Sequence, residues 1–357
     1  MEQNFHYHVT YTAAVLAGFS PDDGQKIARA AQYVDECDGI TVQSTGTLIW
    51  DNLLDTFPGN SQIRDVLKIW PVFHFLPGDV EAIRDYVNPQ LWSSSRLEHQ
   101  MAPKLICTPE SRLVKETVET AKESYDRLSA PDGEEERLQC VGIAMHVLAD
   151  TFAHQGFSGI PLACVNEVRE VKEVKRDGTF GDKWYKIFEY SPALSDRSFG
   201  YLGHGRIGHI VDQPGACFAY QPAWKNPVGD SWTVRYNPLE FYCAFLQMRE
   251  AMEYITGARP AFSNHLDRGL MLDQRGREWD TTRRFLLALE KAGTDAGLPE
   301  HWYKVDDMPE PPPRYRPYSK STEQNLIDSF QAAAQAHRQM VMELCTPLQE
   351  CLELYPE

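Results

Sequence analysis

The stretch Glu134-Glu135-Glu136-Arg137-Leu138-Gln139-Cys140-Val141-Gly142-Ile143-Ala144-Met145-His146-Val147-Leu148-Ala149-Asp150-Thr151-Phe152-Ala153-His154-Gln155 decides how this chain is read. Its three leading glutamates complement the positive end of a helix dipole, and Gly156 supplies the stop. Between them Val141, Met145, Leu148 and Phe152 keep the helical period. Steps of four residues advance about 40° around a helix, so His146, Asp150 and His154 share one face. Two imidazoles and a carboxylate suit zinc or another first-row metal. The flanking Met145, Val147, Leu148 and Phe152 are apolar, and three polar groups left unpaired among them would be costly, whereas one cation satisfies all three. The plainer alternative is a half-polar helix with histidine toward solvent; the regular spacing favours the metal.

Outward from this helix the helical pattern repeats. Val9 to Ala17 is short and apolar. Pro21-Asp22-Asp23 opens a second helix with Ile27, Ala30, Ala31 and Val34 as its buried stripe and Asp35 near its end. Glu110 to Leu128 reads as a surface helix closed by Ala130-Pro131-Asp132-Gly133. Residues 160–232 are rich in Gly, Pro and aromatics and read as a loop-rich insertion, in which Val168, Val171 and Val174, followed by Asp177-Gly178, suggest a hairpin or a long excursion. Helix returns at Asn237-Pro238 and runs to Gly257, and again from Arg277 to Ala292. A proline-rich segment at 309–317 precedes a last helix from Thr322 to Leu354, interrupted at Pro347. The expected fold is therefore all-α: one domain over residues 1–357, a multi-helix bundle with a metal site in its core.

Composition sets the outer bounds. The 357 residues, 42% hydrophobic, suffice for a sizeable core, and no uninterrupted apolar stretch has membrane-spanning length. With 51 acidic against 35 basic residues, the formal charge of -16 disfavours long nucleic acid as a partner. Eight scattered cysteines form no CxxC pair, so they read as mostly buried thiols. The first residues, Met1-Glu2-Gln3-Asn4-Phe5, lack the basic patch and apolar run of a signal peptide, and a cytoplasmic location is the expectation.

Other candidates for chemistry lie apart in sequence. In Gly203-His204-Gly205-Arg206-Ile207-Gly208-His209-Ile210-Val211-Asp212, glycines let the backbone bend around a ligand, and Asp212 can act with His204 or His209. Arg206 is a candidate phosphate ligand. Phe5-His6-Tyr7-His8 precedes the first helix, and His74 lies in Trp70-Pro71-Val72-Phe73-His74-Phe75. Each of these alone reads more naturally as structural.

Together these positions resemble the zinc-dependent phospholipase C superfamily, which includes the fungal single-strand nucleases. That family is all-helical and takes its ligands in a set chain order. Phe5-His6-Tyr7-His8 and Ala31-Gln32-Tyr33-Val34-Asp35 look like its first two elements, and Val72-Phe73-His74-Phe75 is similar to its aromatic histidine motif. His146, Asp150 and His154 match its central helix, and the His204 to Asp212 segment takes the place of its closing pair. Members commonly use an amino-terminal tryptophan, amine included, as a ligand; this chain has Met1 there, and His6 or His8 is the expected replacement. The run Ala149 to Gly159 also resembles an uncharacterised bacterial family.

The resemblance implies up to three zinc ions, with Asp150 bridging two of them and Asp35 acting as a ligand or as the base that orients water. The metal set is thus His6, His8, Asp35, His74, His146, Asp150, His154, His204, His209 and Asp212, with Asp35 and Asp150 as catalytic candidates. The expected activity is phospholipase C-like, hydrolysis of a small phosphate mono- or diester by metal-activated water. Two rivals stand beside it. One places iron or manganese in the same cluster for oxygen chemistry or another hydrolysis, though the sole close match to a di-iron Glu-x-x-His pair, Arg96-Leu97-Glu98-His99, has Glu and His adjacent. The other is a non-catalytic, zinc-stabilised interaction module presenting the aromatic region from Phe218 to Trp232.

Overall fold

The computed structural model describes residues 1, 3–37, 68–78, 104–128, 133–160, 163–175, 179–187, 201–222, 232–266 and 313–345. The expected helix Arg277–Ala292, the tetrapeptide 96–99 and the start of the proline-rich segment lie outside these residues. The frame consists of α1 (Thr10–Leu16), α2 (Pro21–Glu36), α3 (Arg112–Arg127), α4 (Glu134–Ala153), α5 (Asn237–Ile255) and α6 (Gln324–Leu344). Two wide π-helical turns, Asn4–Val9 and Trp70–His74, accompany them.

Helix α4 is the axis. Every residue from Val141 to Ala153 is buried, and α2, α3, α5 and α6 pack around it. A helix stretch apolar on nearly all sides has to be enclosed in this way, so His146, Asp150 and, at its C-cap, His154 are carried into the interior. The surrounding helices start where their sequences dictate. The Ser20 hydroxyl accepts from the Asp23 amide at 3.1 Å ahead of Pro21, and Ser111 accepts from the Val114 amide at 3.3 Å. The extended segment after Pro313 straps the outside of α2. Tyr315 donates to Glu36 at 2.7 Å, and Arg29 donates to the Arg316 carbonyl and to both oxygens of Glu323, stacking 4.4 Å over Tyr318. These contacts hold the carboxyl end of α2, where Asp35 lies.

The all-α expectation is overturned by a four-stranded antiparallel sheet in the order β2-β1-β3-β4. Its strands are β1 (Val168–Val174), β2 (Phe180–Trp184), β3 (Cys217–Pro222) and β4 (Thr233–Tyr236), so the fold is mixed, with helices dominant. The reason lies in register. Val168, Val171 and Val174 are all buried although three-residue spacing puts strand residues on opposite faces, because the pairing shifts between Val168 and Val171 and again between Lys172 and Val174. β3 and β4 are short, and β3 pairs with a strand about 45 to 54 residues earlier, so no local period announces them.

β4 leads directly into α5 and carries Arg235, which is buried against the end of α4. Its guanidinium donates to the carbonyls of Phe152 and Ala153 at 3.0 Å and of Gln155 at 3.3 Å. A cation on the last carbonyls satisfies acceptors that a helix end otherwise leaves open. Cys37, Cys107, Cys140, Cys217, Cys243 and Cys345 are free thiols. Among the described residues no helix is long and apolar enough to cross a membrane.

His337 of α6 provides a pH-dependent lock. Its buried Nε2–H donates to the Val72 carbonyl at 3.0 Å, in the turn that carries His74. Burial lowers its pKa to about 4 from the ordinary 6.5. Between those values the unfolded chain takes up a proton that the folded chain refuses. Stability is therefore lost as pH falls from 6.5 toward 4, by up to about 3 kcal/mol, and this contribution is flat above 6.5. Urea midpoints of chelated wild type and His337→Gln at pH 7.5 and 5 should show a smaller acid loss in the variant. Equal losses would remove His337 from the account.

Candidate metal centre

Three groups of donors come together where α4 meets the two π-helical turns and the turn Gly205–Asp212: His6, His146 and Asp150; Asp35, His74 and His146; and His154, His204 and Asp212. In each group the candidate ligand atoms lie within 4.8 Å of one another. Asp150 stands at the centre, wholly buried. Its Oδ1 is 2.8 Å from the Met1 amino nitrogen and 3.2 Å from His6 Nε2. Its Oδ2 is 3.1 Å from both His74 Nδ1 and His146 Nε2, and 3.6 Å from His154 Nδ1. Asp212 continues the array, with Oδ1 3.1 Å from His154 Nε2 and Oδ2 3.5 Å from His204 Nε2. Asp35, its side chain 31% exposed, lies 3.7 to 3.8 Å from His74, His146 and His6.

Backbone carbonyls orient the rings. His146 Nδ1–H donates to Ala31 O at 2.8 Å, His154 Nδ1–H to His74 O at 2.6 Å, and His204 Nδ1–H to Gly208 O at 2.9 Å. Each bond fixes the tautomer and leaves the Nε2 lone pair of that ring aimed inward, as metal-ligating histidines require. The Gly208 carbonyl reaches its place because Gly208 has φ of 59° and interrupts the helical turn. At Gly203 a Cβ would collide with the Phe75 ring, which stacks 4.4 Å from His154, so glycine there allows His204 to approach. His6 differs from these rings. It is fully buried, stacked 3.9 Å on His146, and neither of its nitrogens has a hydrogen-bond partner.

The charges follow from this packing. Burial raises the Asp150 carboxyl, but His154, the Met1 ammonium, His146 and His6 together hold it well below the usual carboxylate range. Asp212 is likewise held low against burial by His204, the Met1 ammonium, His154 and His209. Burial pushes His6 and His204 down to about 4, whereas His146 is raised because Asp150 and Asp35 outweigh its burial. The Met1 ammonium is opposed by burial and yet raised to about 11 by Asp150, Asp212 and Asp35. Ionised carboxylates beside the lowered imidazoles of His6, His74 and His204 form a site that cations can neutralise.

The structure thus brings together His6, Asp35, His74, His146, Asp150, His154, His204 and Asp212. His8 lies outside the three groups, edge-on to Tyr7, with burial holding its pKa down to about 4. His209 is also outside them; its ring is 79% exposed and its Nδ1 is 3.2 Å from Asp212 Oδ2. Arg206 binds Glu167 at 2.8 Å on the same turn. The Met1 nitrogen and His6 Nε2 both face Asp150 Oδ1, at 2.8 and 3.2 Å. No side-chain motif marks the Met1 nitrogen or the Ala31 carbonyl, both being main-chain atoms. The model of a family of unknown function, DUF6765, matches residues 1–345, and the chain belongs to that family. No curated protein and no solved structure matches the chain.

Proposed function

We propose that this member of DUF6765 is a metal-dependent hydrolase that cleaves a small phosphate ester. One observation carries the reading: eight His and Asp side chains form three neighbouring donor groups, two of them sharing His146, and neither nitrogen of fully buried His6 makes a hydrogen bond although its Nε2 faces Asp150 Oδ1 at 3.2 Å. A buried imidazole without a hydrogen bond is costly, and a cation at Nε2 removes that cost. The donor set fits zinc, which takes imidazole and carboxylate ligands readily. His146 offers one inward lone pair, so it ties the groups of His6 and of Asp35 to a shared centre through Asp150.

Bound there, the ions would supply a water acidified to near neutral pH and positive charge for the phosphate oxygens. The chain's own residues do the rest. Asp150, with one oxygen facing His6 and the other facing His74 and His146, would serve as a ligand to the ions. Asp35, the most open of the three carboxylates, either completes the coordination or accepts the water's proton. His204 and the exposed His209 border the far side, where a small ester enters. The acidic exterior disfavours a long polyanion but leaves a single phosphate group free to reach neutralised carboxylates.

The test is elemental analysis of protein purified without chelator, joined to a phosphoester screen. Two or three equivalents of zinc per chain are expected, and His146→Ala should lose at least one of them with a fall in turnover of about a hundredfold or more. A metal-free wild type, or turnover that survives loss of His146, overturns the proposal. Iron or manganese in place of zinc would redirect it to another chemistry.

A further inference from the structure

The exposed large hydrophobic residues among those described are Phe180, Trp184 and Val234, and all three belong to the sheet. Pairing sets Trp184, Lys172, Ala219 and Val234 opposite one another across β2, β1, β3 and β4, so they form one row on one face. Trp232 joins the patch, its ring 5.1 Å from Phe180 and 6.4 Å from Trp184. The Lys172 ammonium sits among these rings, 4.5 Å from Trp184 and 5.6 Å from Phe180. Other buried residues of β1 and β3 pack with Ile207, Ile210 and Val211 of the turn that carries Asp212. Trp184 is 54% exposed and Phe180 44% exposed, which is unusual for such rings on a soluble surface.

The charge of the β1–β2 hairpin is opposite to that of the molecule. Its described residues, 168–175 and 179–187, contain five basic side chains (Arg169, Lys172, Lys175, Lys183 and Lys186) against three acidic ones, within a chain of net charge -16. At physiological ionic strength charges beyond about 8 Å are screened, so the local excess governs what lies against the patch. A lysine in the middle of an aromatic patch discriminates between partners. Protein interfaces deplete lysine at their centres, because its ammonium would be stripped of water. A bilayer interface accepts the same pair of groups, since tryptophan settles at headgroup level while lysine reaches up to phosphate.

We infer that the Phe180–Trp184–Trp232 face of the sheet, with Lys172 at its centre, docks the protein on an anionic phospholipid surface. This rests on the sheet alone and is independent of the metal centre, so either reading can fail without the other. The full-length protein is floated with vesicles of phosphatidylcholine alone and of phosphatidylcholine mixed with phosphatidylglycerol. Binding to the mixed vesicles, weaker binding to the neutral ones and a blue shift of tryptophan emission are expected. Lys172→Glu should weaken binding about tenfold at low salt, and Phe180→Ala with Trp184→Ala should abolish both binding and shift. Unchanged circular dichroism and metal content show that the variants fold. Failure of the wild type to bind vesicles overturns the inference, as does equal binding by the variants. A shift from dimer to monomer in the double variant, without vesicle binding, would assign the face to a second copy instead and overturn it as well.

Discussion

Asp150→Asn should empty the centre and weaken the fold together. The carboxylate meets the Met1 ammonium and His6 on one oxygen, and His74, His146 and His154 on the other. Asparagine keeps the shape but replaces one oxygen by an NH2 group and removes the charge. Turned one way, that NH2 faces the Met1 ammonium, donor against donor; turned the other, it can donate to the inward Nε2 of His146, but the Met1 ammonium still loses the charge that balances it. With no solvent to compensate, loss of one partner in a buried charge cluster costs about 3 kcal/mol or more. Chelated wild type and variant should differ by that amount in urea unfolding. As purified, the variant should lack most of the zinc carried by wild type and turn over phosphoesters roughly a thousandfold more slowly, about 4 kcal/mol of barrier. A variant that keeps its full metal complement would deny Asp150 the bridging role.

The second large effect comes from a residue that touches no ligand. Gly142 lies in the middle of α4, where alanine is worth about 1 kcal/mol in helix propensity. A Cβ there would stand 2.5 Å from the Ile27 carbonyl oxygen and from Ala30 Cβ, and 3.1 Å from the Ala31 amide. Two of these three atoms are backbone, so no side chain can swing aside and α2 must move. Gly142→Ala should therefore destabilise by about 2 kcal/mol net, despite its better propensity. Movement of α2 also shifts the Ala31 carbonyl that holds His146, and Asp35 on the same helix. Metal affinity should fall 10- to 100-fold, the range seen when ligand-orienting contacts are lost. Urea midpoint and zinc competition titration read the two losses separately. Unchanged affinity would mean that the helix crossing does not set ligand position.

These two residues mark how far the sequence was legible. Asp150, His146 and His154 stand at four-residue spacing in a periodic segment, and local periodicity needs no knowledge of the fold. His74 and His204 were legible as types, but nothing local separates His204 from His209; the difference is the turn at Gly208, which points one ring inward and leaves the other in solvent. His6 and His8 are separated in the same way by the π-helical turn that holds them. The sheet escaped for a related reason. Its valines follow a three-residue spacing that only shifted registers render buried, and β3, the central partner of β1, is supplied from about 45 to 54 residues further along the chain. Gly142 was visible as a glycine inside a helix, but its cause is a neighbour more than a hundred residues distant.

The Arg235 clamp bears on how the molecule can be divided. On paper, residues 160–232 are an insertion between helices. In the fold, that stretch brings His204 and Asp212 to the carboxyl end of α4, and the strand that closes it delivers a guanidinium to the carbonyls of Phe152, Ala153 and Gln155 there. Asn237, next in line, donates to the carbonyls of Ile210, Val211 and Gln213 and stitches the same turn to α5. The helical core and the sheet therefore have no seam between them, and a trimmed version built as a bare bundle would lose the closure of its central helix along with two of its acceptors for a cation.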